Sequence, residues 1–144
     1  MAGFGGFDHL DVRVRSLGAV EAFYDRLMPQ LGLPRKRLAV VDEHGDWREP
    51  SDDHPYNVIE YYEPSVSGTT AHFIGFVEDA AMIPTRTRIA FRVASPAELE
   101  RWSSRLLELG ALAVEPSASP DYPALFFEDP AGTKLELVAR HPTP

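Results

Sequence analysis

The chain switches between two hydrophobic periods, and it does so twice. Residues 7–14 (FDHLDVRV) alternate, with Leu10, Val12 and Val14 on one side and Phe7, His9, Asp11 and Arg13 on the other, the period of a half-buried strand. Val20, Phe23, Tyr24, Leu27 and Leu31 then recur at helical spacing. Ser16 is the expected N-cap, Glu21 falls in the early turns, and Gly32 and Pro34 stop the helix. Strands are expected at residues 36–41, 58–62 and 72–77, with a polar loop at 42–55 (DEHGDWREPSDDHP) between the first two. Residues 86–93 alternate again. Ser95-Pro96-Ala97-Glu98 opens a second helix with Ser at the N-cap, Pro at N1 and Glu at N3. Its apolar face is Leu99, Trp102, Leu106 and Leu109, and Gly110 ends it. A strand at 111–114, a Pro/Ser loop at 115–122 and the hairpin FFEDPAGTKLELV at 126–138 close the chain, with Asp129-Pro130-Ala131-Gly132 as turn chemistry.

The order is β-α-β-β-β, twice. Arg13 aligns with Arg92, Val14 with Val93, Ser16 with Ser95, Glu21 with Glu100, Arg26 with Arg105 and Leu27 with Leu106, and this colinearity marks a duplicated module. The same alignment sets His9 opposite Arg88. In the closing hairpins, Tyr61-Tyr62-Glu63-Pro64 resembles residues 126–130, and Gly68-Thr69 matches Gly132-Thr133, which sets His72 opposite Glu136. The expected fold is therefore α+β, two tandem βαβββ modules (7–80 and 86–141) about a pseudo-twofold axis, after a flexible leader at 1–6.

Composition narrows the function. At 144 residues and 44% apolar, the chain can form one compact domain or two half-domains sharing a core. A net charge of −8 favours a soluble protein and argues against nucleic acid or an anionic membrane as the main partner. With no cysteine, disulfides and thiolate metal sites are excluded. No apolar run reaches membrane-spanning length and no basic-then-apolar leader opens the chain, so a cytoplasmic location is expected.

Chemistry then concentrates at four symmetric positions, His9, His72, Arg88 and Glu136. Glu136 lies on the opposite strand face from Leu135 and Leu137, and a carboxylate directed into a cavity needs a cation or hydrogen-bond donors. Imidazole and carboxylate suit Fe, Mn, Co, Ni or Zn, and His9, His72 and Glu136 would make a facial triad with open positions for substrate. Glu60 rivals His72 as the module-one ligand. Arg88 has no lone pair for a metal; it either pairs with Glu136 or grips a ligand carboxylate or phosphate. Trp47, Tyr61, Phe73 and Phe126 are candidate pocket aromatics.

FDHLDVRV, RIAFRV with its SPAELERWSSRLLELGA helix, and FFEDPAGTKLELV together resemble the vicinal oxygen chelate superfamily, the glyoxalase, bleomycin-resistance and extradiol-dioxygenase group, over residues 7–139. The resemblance implies curved mixed sheets enclosing a pocket, and a divalent ion held from the first and last strands. His9 fits the first-strand histidine and Glu136 the closing glutamate. Arg88 departs from the pattern, since a histidine usually stands there. The implied function is a metal-dependent isomerase or lyase that chelates vicinal oxygens of a small substrate, with Glu136 or a metal-bound water as the base. Ring-cleaving oxygenation is less favoured because Arg88 breaks the iron triad. The alternative is a metal-free ligand-binding protein of the bleomycin-resistance type, commonly a homodimer.

Overall fold

The computed structural model describes residues 3–141, so Met1 and Ala2 of the expected leader lie outside it. Strand β1 (His9–Val14) leads into helix α1 (Leu17–Gln30), then β2 (Arg35–Val41), a two-residue β3 (Trp47–Arg48), β4 (Val58–Tyr62) and β5 (Phe73–Glu78). The second half repeats the order: β6 (Arg88–Arg92), α2 (Pro96–Leu109), β7 (Leu112–Pro116), β8 (Ala124–Glu128) and β9 (Lys134–Val138). The first half forms a five-stranded sheet, β1-β5-β4-β2-β3, and the second a four-stranded sheet, β6-β9-β8-β7. Each sheet is mixed, with β1 parallel to β5 and β6 parallel to β9. The α+β duplication expected from the hydrophobic periods is present. The one strand not anticipated is β3, formed where Trp47 and Arg48 pair with Val41 and Val40 inside the loop read as polar.

The helix ends follow local chemistry. Ser95 accepts a hydrogen bond from the Glu98 amide at 3.1 Å, the cap read from the sequence, and Glu98 accepts one at 3.2 Å from the amide of Ala94, one residue before the N-cap. Ser16 occupies the N-cap of α1 in an extended conformation but makes no capping bond. Glu78, at the end of β5, instead accepts from the Leu17 amide at 2.8 Å, tying α1 to the far end of its own module.

One core runs through both halves. Val20, Phe23, Tyr24 and Leu27 of α1 and Leu99, Trp102, Leu106 and Leu109 of α2 are all buried, with Ile59, Ile74, Phe76, Leu125, Phe127, Leu135 and Leu137 from the two sheets. Tyr24 stacks on Phe76 at 3.8 Å between ring centroids and donates its hydroxyl to Asp129 at 2.5 Å. Asp129 is fully buried and also accepts from the amides of Ala131 and Thr133 at 2.8 and 2.9 Å. Helix α1 of the first half is therefore bonded to the β8–β9 turn of the second. Burial, followed by the charge of Asp129, pushes the Tyr24 phenol well above its ordinary pKa, so it stays a donor. The turn that looked purely local in the sequence is a tertiary anchor.

Candidate functional site

Strand alternation gives each sheet one face toward the helices and one away from them. On the first sheet, the outward side chains form rows fixed by register. His9, Phe73, Tyr62 and Arg35 face one another across β1, β5, β4 and β2. His9 stacks on Phe73 at 4.5 Å, Phe73 stacks on Tyr62 at 4.5 Å, and the Arg35 guanidinium lies 5.8 Å from the Tyr62 ring centre. The next row is Asp11, Gly75, Glu60 and Arg37. A Cβ on Gly75 would meet the Asp11 carboxylate at 2.9 Å, so the glycine leaves a notch between two acids. Glu60 is only 6% exposed; burial raises its pKa, against the nearby charge of Arg37. It floors a cavity of about 370 Å3 bordered by Arg37, Trp47, Arg48 and Glu49, with Trp47 itself 48% exposed. His9 hydrogen-bonds Asp8 at 2.7 Å, which raises the imidazole pKa, with Asp11 3.7 Å from its other nitrogen.

The second sheet presents a different face. Arg88 and Lys134 begin its first row, and Ala90, Glu136 and Phe126 make the second. The Arg88 guanidinium lies 4.6 Å over the Phe126 ring. Glu136 is 5% exposed and accepts a 2.5 Å hydrogen bond from the Tyr122 hydroxyl, which reaches in from the β7–β8 loop. That bond raises the Tyr122 pKa, while Arg140 and Arg88 oppose the rise. Arg140 stacks over Tyr122 at 4.8 Å.

These placements revise several expectations. Register makes Arg88 the counterpart of His9, as expected, because each opens the edge strand of its sheet. It makes Gly75, not His72, the counterpart of Glu136: Gly75 pairs with Asp11 as Glu136 pairs with Ala90. The Gly-Thr match that aligned His72 lies in the hairpin loops, where the two modules differ in length, so the register it implied slips. His72 precedes β5, out of step with the outward row, although it and His9 both border a depression of about 300 Å3. Tyr61 faces the core rather than a cavity; it is buried and donates to Asp25 at 2.9 Å. Phe73, Phe126, Trp47, Glu60 and Arg88 all lie on the outward faces. Tyr122 and Arg140 were not singled out in the sequence, because nothing in a Pro/Ser loop or a strand end marks a side chain that folds back onto a neighbouring strand.

A divalent ion does not fit the residues of one chain. His9 lies on the first sheet and Glu136 on the second, a guanidinium stands at the third position, and no group of three His, Cys, Asp or Glu side chains among the described residues is placed to hold an ion. A groove of about 420 Å3 between α2 and the loop before β8 contains none of the candidate site residues.

Residues 6–137 match the model of the Glyoxalase/Bleomycin resistance protein/Dioxygenase superfamily, and the chain belongs to that superfamily. Among solved structures, the chain is similar to a putative glyoxalase from Bacillus halodurans, at 22% identity and a TM-score of 0.64, covering 94% of this chain and 96% of that one. It is also similar to a glyoxalase/bleomycin resistance protein from Albidiferax ferrireducens T118, at 20% identity and a TM-score of 0.60, over 94% and 98% of the two chains. The genomically encoded fosfomycin resistance protein FosX from Listeria monocytogenes shares 18% identity with a TM-score of 0.61 over 96% of each chain; that protein has also been solved with Mn(II) and sulfate. At these identities the likeness establishes the fold. No curated protein matches the sequence. No helix among the described residues is long and apolar enough to cross a membrane.

Proposed function

We propose that this protein binds a small organic anion on the outward face of its second sheet, with Arg88 as the anion-gripping group. The observation that carries this reading is the state of Arg88. It is exposed, lies 4.6 Å over the Phe126 ring, and has no carboxylate within ion-pair distance among the described residues. A guanidinium held in one plane by a ring loses little freedom when it accepts a carboxylate or phosphate fork. Phe126 supplies apolar contact for the body of the ligand. The face is open in one chain, and the outward face of a second copy is the natural cover, which makes a homodimer the working form.

Calorimetric titration with benzoate in the presence of a chelator tests this reading. Wild type binds, and Arg88→Gln lowers affinity at least tenfold, about 1.4 kcal/mol. Absence of binding, or binding that vanishes when divalent ions are removed, would sink it.

A second reading has one observation in its favour. Glu136 is buried, and its hydrogen bond to Tyr122 uses one carboxylate oxygen, which leaves the other to act on a ligand. That suits a proton-transferring base in a glyoxalase-like isomerase or lyase. A metal-dependent form of it, with His9, His72 and Glu136 as ligands, needs these groups to be supplied from two chains.

A further inference from the structure

The face that carries Arg88 has a second cation, and a chemically distinct centre separates the two. Arg140 lies two residues beyond β9 and sits 4.8 Å over the ring of Tyr122, the residue whose hydroxyl bonds Glu136, so it stands on the same side as Glu136. Like Arg88, Arg140 is exposed, stacked on a ring and free of ion pairs among the described residues. Contacts link the two arginines through one centre: Arg88 lies over Phe126, which pairs with Glu136 across the ladder, and Arg140 lies over Tyr122, which bonds Glu136. The polar pair that links the cations presents acceptors. The Tyr122 proton is committed to Glu136 at 2.5 Å, so the phenolic oxygen turns lone pairs outward, and the second Glu136 oxygen is an acceptor too. Lys134, the other cation of the row, is engaged by Glu128 at 3.3 Å.

We infer that the ligand carries two anionic groups with a hydrogen-bond donor between them, a hydroxylated dicarboxylate or an equivalent dianion, spanning Arg88 and Arg140 across the Glu136–Tyr122 pair. This rests on the proposed anion site and goes beyond it. A ligand with one anionic group leaves Arg140 unused. A dianion without the central donor brings carbon against a buried carboxylate and leaves that acid unsatisfied, the situation in which polar sites discriminate best.

The test compares malate, succinate and lactate by titration calorimetry on wild type, Arg140→Gln and Arg88→Gln, in the presence of a chelator. Malate is expected to bind at least tenfold tighter than lactate, which lacks the second carboxylate, and at least tenfold tighter than succinate, which lacks the hydroxyl. Arg140→Gln should bring malate down to the level of lactate while leaving lactate unchanged. Arg88→Gln should weaken all three. If lactate matches malate in wild type, or if Arg140→Gln weakens both equally, the two-cation inference is overturned while the Arg88 site stands. If succinate matches malate, the central donor is overturned. Failure of benzoate and of all three acids to bind overturns the anion site itself, so the two failures are separable. Circular dichroism of each variant confirms that a lost titration reflects lost binding and not lost fold.

Discussion

The two sheets share a ladder and differ in almost everything that projects from it. In the first, the row through Gly75 reads acid, gap, acid, arginine: Asp11, Gly75, Glu60 and Arg37. In the second, the equivalent row reads Ala90, Glu136, Phe126 and Glu115. The carboxylate that flanks the gap in one module fills it in the other. The neighbouring row is a stack of His9, Phe73 and Tyr62 in the first sheet and begins with two cations, Arg88 and Lys134, in the second. Duplication has kept backbone pairing and core apolar positions, where packing tolerates little change. It has let the outward rows diverge, because a solvent-side side chain contributes little to stability. Symmetry therefore predicts the scaffold well and the site poorly.

The comparison can be broken most forcefully at the bond that joins the halves. Asp129→Ala removes the acceptor of a buried phenol and of two turn amides, and should cost about 3 kcal/mol in chemical denaturation. Tyr24→Phe keeps the ring stack and should cost about 1 kcal/mol. A loss from Asp129→Ala as small as that of a surface change would mean the turn stands without α1. On the second face, Arg88→Gln should leave unfolding free energy within about 0.5 kcal/mol of wild type, since an exposed arginine without an ion pair does little for the fold. If it destabilises strongly, Arg88 is structural and the anion reading loses its basis.

On the first face, the buried acid gives an effect with a definite sign. Burial raises the folded-state pKa of Glu60 above its ordinary value, so folding favours the protonated form. Its contribution to stability is fully present below the ordinary carboxyl pKa and is lost as pH rises through the raised one. Glu60→Gln should therefore be more stable than wild type near neutral pH, and the gap should close on acidification. A gap that widens at low pH would contradict the burial argument. The smallest effect is at His9. Its titration by NMR should centre above 6.5, the ordinary value, and Asp8→Asn should lower it, because the Asp8 hydrogen bond is the main cause of the rise. The stability linked to this imidazole is present below the ordinary value and fades as pH climbs past the raised midpoint. An unmoved midpoint would show that the Asp8 contact does not persist in solution.

Most of the scaffold was legible because it is written in local signals. The alternation of residues 9–14 and 88–92, the helical spacing of both apolar faces, and the Ser95 cap each fix an element without knowledge of the rest. Of the candidate site residues, the sequence made legible only the face each occupies, and only where that follows from strand parity, as with Glu136, Arg88, Phe73 and Phe126. Tyr61 shows the limit: alternation placed it opposite Glu60, yet an aromatic beside a pocket strand looks the same in sequence whether it points in or out. The alignment of His72 with Glu136 slipped for a different reason, since a match in loop residues does not carry strand register. Tyr122 and Arg140 depend on a loop folding back, which no periodicity encodes.

The proposed site grips its anion through the Arg88 guanidinium and needs no metal, whereas FosX from Listeria monocytogenes has been solved with Mn(II); that independence from metal is the point on which the reading stands. Elemental analysis of the untagged protein, after loading with Mn, Fe, Co, Ni and Zn in turn and exhaustive dialysis, addresses it most directly. The account predicts no stoichiometric ion under any loading. One ion per chain, lost in Glu136→Ala, would contradict it and restore the metal-dependent reading.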